Sequence, residues 1–148
     1  MPEMQPPEKI EPQSLGDYLE VMSKAVFQSG MSWKVVEAKW PSTREAFRGF
    51  DVGAVATMDD GDVAALVKDT RVIRNRRKIE AIVTNARRLL ELDEAHGSFA
   101  GYLGSLDGFE AQVEDLKKQF KFLGDTGSHF VLWVVGQDAP ACTQPQET

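Results

Sequence analysis

Cysteine is almost absent from this chain: Cys142 is the single thiol in 148 residues, so no disulfide can close within one molecule. Histidine is nearly as scarce. His96 and His129 are the only two, and without a closely spaced pair of soft ligands a structural zinc site has nothing to start from. Long apolar runs are missing too. The longest uncharged apolar stretch, Phe130 to Gly136, falls far short of the roughly 20 residues that a membrane span needs. Met1 to Ser14 has no apolar stretch of the kind a signal peptide carries. These absences lead to the expectation of a cytoplasmic protein with no membrane association. What is present, 42% hydrophobic and 27% charged residues, suits one domain with a substantial core.

Positive charge is also in deficit, with 17 Lys and Arg against 23 Asp and Glu and a net charge of -6. Such a deficit counts against nucleic-acid binding, because neutralisation of phosphates supplies most of that affinity. Distribution matters more than the total. Between Arg71 and Arg88 stand seven cations (Arg71, Arg74, Arg76, Arg77, Lys78, Arg87, Arg88) against Glu80 alone. A basic stripe on an acidic body is a workable footprint for a polyanion, and a solvated helix face paired with acids elsewhere accounts for it equally well.

Residues 1–14 carry Pro2, Pro6, Pro7 and Pro12 with little apolar content and are expected to form a flexible arm. Residues 137–148, with Pro140 and Pro145, are expected to form a flexible tail. Between them, over 15–136, apolar residues recur at helical spacing and no segment alternates with the period of a strand, so the fold is expected to be all-α. Leu15, Leu19, Met22, Val26 and Phe27 mark the first helix, which is expected to end near Ser29 and Gly30. A short helix follows Trp33 and is closed by Pro41, and Ser42 or Thr43 caps the next segment, to Phe47. Asp51 and Asp59 or Asp60 head two further helices. The longest is expected over Arg77 to Leu92, followed by Ser98 to Leu106, Phe109 to Phe120 and a last one from Gly127 to Gly136. The candidate core comprises Trp40, Phe47, Phe50, Leu66, Ile79, Ile82, Val83, Leu103, Leu106, Phe109, Leu116, Phe122, Leu132 and Trp133.

The stretch from Leu19 to Trp33, LEVMSKAVFQSGMSW, ends in Phe27, Gln28, Gly30, Ser32 and Trp33 at fixed spacing. It is followed by Arg44, Ala46, Phe47, Phe50 and Asp51, then Ile73, Arg74, Asn75 and Arg76 with Lys78, Ile79, Ala81, Ile82, Asn85 and Ala86. This ordered series resembles the DNA-3-methyladenine glycosylase I family, in which a helix ends in Phe-Gln-Ala-Gly-Leu-Ser-Trp. The resemblance covers roughly residues 15–136 and implies a helix-hairpin-helix DNA glycosylase-like helical bundle. A second element, Lys121 to Gly127, resembles the family's Lys-Phe-Val-Gly turn. A glycine-bearing hairpin leading into a helix lets backbone N–H groups converge on a phosphate without a cationic side chain.

The resemblance implies a monomer that acts on double-stranded DNA containing a damaged base. Ala25, Gln28, Ser32 and Trp33 would line the pocket for a flipped base, and Trp33 would offer its face to a cationic alkylated ring. Gly30 and Met31 would enter the duplex. Leu123, Gly124, Thr126, Gly127 and Ser128 would contact phosphate, together with Arg74, Arg76, Arg77 and Lys78. Asp125 departs from the turn's usual small residue and would repel a phosphate or cap the helix expected to begin at Gly127.

Three departures from the family pattern stand out. The family's pocket glutamate, eight residues before the tryptophan, is Ala25 here. Glu20 matches a family position but lies about 140° away from Ala25 around the helix, too far to substitute for it. The N-terminal segment with its zinc ligands and pocket aromatics, and the C-terminal His and Cys ligands, have no counterpart, so no metal and no cofactor are expected. Three functions fit this pattern: a monofunctional N-glycosylase using water, since no lysine lies between Gln28 and Trp33; a non-catalytic DNA- or lesion-binding protein; and a helical protein-interaction module.

Overall fold

In a computed structural model that describes residues 7–141, the chain forms eight α-helices and one short 3-10 turn, with no strand among those residues. The helices are α1 (Leu15–Gln28), α2 (Trp33–Ala46), α3 (Val52–Ala56), α4 (Asp60–Val67), α5 (Arg76–Ala95), α6 (Phe99–Gly104), α7 (Gly108–Gln119) and α8 (Asp125–Val134). Helix α5 is the axle: it packs against α1, α3, α4 and α6, while α1 also meets α2 and α8, and α7 meets α8. Burial follows the helical period. Leu19, Met22, Val26 and Phe27 of α1 and Ile79, Ile82, Ala86 and Leu89 of α5 are wholly inaccessible to solvent.

Polar starts are built from local side chains. Asp51 accepts the Ala54 N–H at 3.0 Å to begin α3, and Ser98 accepts the Gly101 N–H at 2.9 Å to begin α6. Asp59 and Asp62 form a reciprocal capping box at the start of α4.

Two expectations about individual elements give way. Pro41 does not close a helix; α2 runs through it to Ala46. The proline ring is exposed, while Trp40, Thr43 and Ala46 on either side are buried, so tertiary packing of the flanking turns outweighs the lost N–H. Trp40 stacks on Phe50 at 5.3 Å, and Phe50 in turn on Phe47 at 5.5 Å. Helix α8 begins at Asp125, two residues before the expected Gly127, with Gly124 as its N-cap. Within the candidate core, Phe122 is 39% exposed, because it sits at the tip of the α7–α8 connection with φ of 57°. Leu106, Phe109 and Trp133 are half-buried against the core.

The expected arm and tail lie partly outside the described residues. Within them, Pro7 to Ile10 lie along α8: Trp133 Nε1 donates to the Pro7 carbonyl at 2.8 Å, and the Ile10 N–H donates to the Val134 carbonyl at 2.7 Å. Beyond α8, Gln137 accepts from Gln112 Nε2 at 3.1 Å, and His129 Nε2 lies 2.7 Å from the Pro140 carbonyl. Among the described residues no helix is long and apolar enough to cross a membrane.

Candidate functional site

A cleft of about 430 Å³ opens where α1, α2, α8 and the Pro7 to Ile10 segment meet. Trp33, the first residue of α2, forms part of its wall and packs edge-on against Phe130 of α8 with ring centroids 5.3 Å apart. At 8% exposure Trp33 serves the core and the cleft at once. Around these rings, among the described residues, the cleft carries the carboxylates of Glu8, Asp17, Glu20 and Glu37 and a single ammonium, Lys24. Glu20 is held from behind: its Oε2 accepts the Trp40 indole N–H at 2.9 Å and lies 3.5 Å from Arg44 Nε. Lys24 lies 3.7 Å from Glu37.

The other expected pocket residues are elsewhere. Ala25, one turn on from the cleft-lining Val21, is buried against α8, where a Cβ on Gly127 would stand at contact distance, 3.5 Å, from the Ala25 Cβ. Ala25 itself does not line the cleft. Gln28 and Ser32 do not line it either. Gln28 ends α1 and its carbonyl accepts the Met31 N–H at 2.8 Å, closing a tight turn in which Gly30 takes φ of 74°, a region glycine enters without steric cost. Ser32 stands at the N-cap position of α2. The wall on α1 is made by Asp17, Glu20, Val21 and Lys24, one turn short of Ala25, so the angular separation that seemed to disqualify Glu20 does not keep it from the cleft. Phe130 and the Pro7 to Ile10 wall had no such signal.

A second feature surrounds the connection between α7 and α8. A groove of about 500 Å³ is lined by Phe120 to Gly124, by Thr84 and Arg88 of α5, by Ser29 at the end of α1, and by Lys117, Lys118 and Lys121. Among the described residues no carboxylate lines it. Lys117 is paired with Asp125 at 2.9 Å and Glu114 at 3.1 Å, and Arg88 with Glu91 at 3.3 Å; Lys118 and Lys121 have no ion pair among the described residues. Asp125 therefore neither caps α8 nor stands as a bare negative charge. Thr126 and Gly124 are exposed, whereas Leu123 is buried. Ser128 is wholly inaccessible and cannot reach a phosphate, because the second turn of α8 turns it into the core.

The basic stripe divides. Arg71 is bound to Asp69 at 2.8 Å and Glu45 at 3.0 Å, and Arg87 to the Ala56 and Met58 carbonyls at 2.9 Å. Arg76 pairs with Glu80 at 3.4 Å. Arg74 is exposed without an ion pair among the described residues, and Arg77 lies over the Phe122 ring at 5.9 Å, beside the groove. Lys78 corrects the expectation most strongly: it is 5% exposed, and its Nζ donates to the Phe27 carbonyl at 2.9 Å and to the Ser29 carbonyl. It is the C-terminal cap of α1 rather than a phosphate contact.

Burial lowers the Lys78 pKa below the ordinary lysine value of 10.5. The unfolded chain then holds more protons than the folded one between these two values, so stability rises with pH across that window. In denaturant titrations taken from neutral pH up to about 10.5, Lys78→Met should rise less steeply than the parent. Equal slopes would show that Lys78 titrates as an ordinary lysine.

A protein-family model for methyladenine glycosylase matches residues 15–129. The chain belongs to the methyladenine glycosylase family. DNA-3-methyladenine glycosylase 1 of Escherichia coli is 38% identical over 86 residues, 58% of this chain and 46% of that protein. The Haemophilus influenzae DNA-3-methyladenine glycosylase is 36% identical over 89 residues, 60% of this chain and 48% of that protein. The chain spans about half the length of these curated relatives. A solved 3-methyladenine DNA glycosylase I from Staphylococcus aureus, described for its recognition of 3-methyladenine, superposes with a TM-score of 0.72 at 26% identity, covering 97% of this chain and 89% of that one. The fold is thus that of the glycosylases and is all-helical. Among the described residues no group of three His, Cys, Asp or Glu side chains is placed to hold the zinc that the resemblance implies, and Cys142 lies outside those residues.

Proposed function

We propose that this glycosylase-family chain is a monofunctional N-glycosylase that removes cationic alkylated bases, such as 3-methyladenine, from double-stranded DNA. The observation that carries this reading is the Trp33 cleft, with two aromatic walls and four carboxylates against one ammonium. An N3-alkyladenine is a cation with two flat faces. Aromatic contact with it contributes roughly 0.5–2 kcal/mol, and carboxylates in a partly desolvated cleft favour it over the neutral normal base. As the glycosidic bond breaks, the base takes the bonding electron pair and leaves neutral, and positive charge passes to the sugar. Water adds to the anomeric carbon and loses its proton. Gly30 and Met31 would fill the vacated stack, and the backbone at Leu123, Gly124, Thr126 and Gly127, with Arg74, Arg76 and Arg77, would hold phosphates.

Release of base from methylated duplex DNA tests the reading. Glu20→Gln keeps the acceptor for the Trp40 indole and removes the charge, and should weaken capture of 3-methyladenine about tenfold, equivalent to ~1.4 kcal/mol. Unchanged capture would remove Glu20 from the pocket. The absence of a carboxylate at Ala25 favours a second reading, a lesion-binding protein without chemistry; tight duplex binding by the parent without base release would select it. No binding at low salt would overturn both and leave an interaction module.

A further inference from the structure

The inner face of α5 is apolar except at two places. Ile79, Ile82, Ala86 and Leu89 fill it, and between and beside them Lys78 and Asn85 are buried at 5% and 1% exposure. Both side chains reach across to backbone at or just beyond the end of another helix, Lys78 to α1 and Asn85 to the residue after α7. Lys78 Nζ grips the carbonyls of Phe27 and Ser29, where α1 ends and the Gly30–Met31 turn begins. Asn85 holds the backbone of Lys121 from both sides, accepting its N–H at 2.8 Å and donating to its carbonyl at 3.1 Å. Lys121 opens the α7–α8 connection, which lines the basic groove together with Ser29.

The spacing of these two grips has a mechanical meaning. Seven residues of α-helix are nearly two complete turns, so Lys78 and Asn85 share a face about 10.5 Å apart along the axis. One rigid helix therefore sets the distance between the two connections. Arg77, next to Lys78, lies over the Phe122 ring and ties the same two regions from outside.

We propose that Lys78 and Asn85 are positioning residues of a clamp that fixes the spacing between the turn that enters the duplex and the connection that holds its backbone. This rests on the DNA-glycosylase reading above. With the spacing fixed, docking of the backbone carries the Gly30–Met31 turn into the stack; with it loose, the backbone docks while the base stays stacked.

Binding and extrusion are then separable. Duplexes carrying 2-aminopurine beside an alkylated base report unstacking by fluorescence, and the same duplexes give Kd and single-turnover base release. Lys78→Met and Asn85→Ala should keep Kd within about threefold of the parent and keep its salt dependence. Unstacking amplitude should fall with base release, and release should slow about a hundredfold, as misplacement by about an ångström produces. The double variant should be no slower than the slower single one, because both grips serve one spacing. A structural role alone would lower the melting temperature and leave release per bound duplex unchanged, or would make the two losses add; either result overturns the clamp. Should Asn85→Ala not fold, Asn85→Ser is read in its place. A parent that binds no duplex overturns the glycosylase reading and the clamp together, whereas a parent that binds and releases base while the variants match it overturns the clamp alone.

Discussion

Ala25→Glu is expected to destabilise the fold by roughly 3 kcal/mol or more and to bring no gain in base release. The substitution restores the carboxylate that the family pattern has at this place, yet the place itself has closed. Ala25 is 4% exposed and packs on α8 at Gly127, where even an added Cβ would already be in contact with it at 3.5 Å. A glutamate there must either push α8 away or bury a charge without a partner. Thermal unfolding and the methylated-DNA assay read the two effects separately. A variant that melts like the parent and releases base faster would show that α1 and α8 part readily at this point, and that the family's arrangement can be recovered.

The second large effect is expected at Trp33. Replacement by alanine should cost about 3–5 kcal/mol, the range for removing a buried large aromatic side chain. It should also abolish capture of the alkylated base, because Trp33 is a wall of the cleft and a core residue packed on Phe130. Reading the sequence alone gives a larger effect on recognition than on folding; its burial makes the two comparable. Trp33→Phe separates them, since it keeps most of the packing while offering a weaker face to a cation. If Trp33→Ala melted within a degree or two of the parent, its burial would be incidental to the fold.

How far the sequence carried the structure depends on which force decided each residue. Helix periodicity and local caps are short-range, so α1, α5 and the starts at Asp51, Asp59 and Ser98 were legible. Pro41 misled because the cost of one missing hydrogen bond is local, whereas the packing of Trp40 and Thr43 that overrides it is not. Lys78 and Asn85 were matched as parts of a motif, but neither residue type announces burial. A lysine in a run of arginines reads as surface charge until the end of another helix, 51 residues away in sequence, is found to need a donor. Glu20 was set aside by correct helical geometry applied to the wrong reference: its angle from Ala25 around α1 is real, but the cleft wall on α1 is Asp17, Glu20, Val21 and Lys24. The wall supplied by Pro7 to Ile10 was illegible because its composition promised disorder, and its docking depends on the Trp133 indole at the far end of the chain.

That wall differs in kind from the others. Trp33, Phe130 and Glu20 stand on helices whose displacement would take the core with it, but Pro7 to Ile10 are attached to α8 by hydrogen bonds to the Trp133 indole and the Val134 carbonyl, by Lys9 over the Trp133 ring at 4.1 Å, and by the burial of Pro7. Each such bond contributes only about 1 kcal/mol net. The segment can therefore detach in an opening event much less costly than global unfolding. The size limit on what the cleft admits is then not a fixed dimension of the fold. It becomes an adjustable tolerance, set by how often the strap lets go, and it can change in evolution or by design without disturbing a single residue of the helical core.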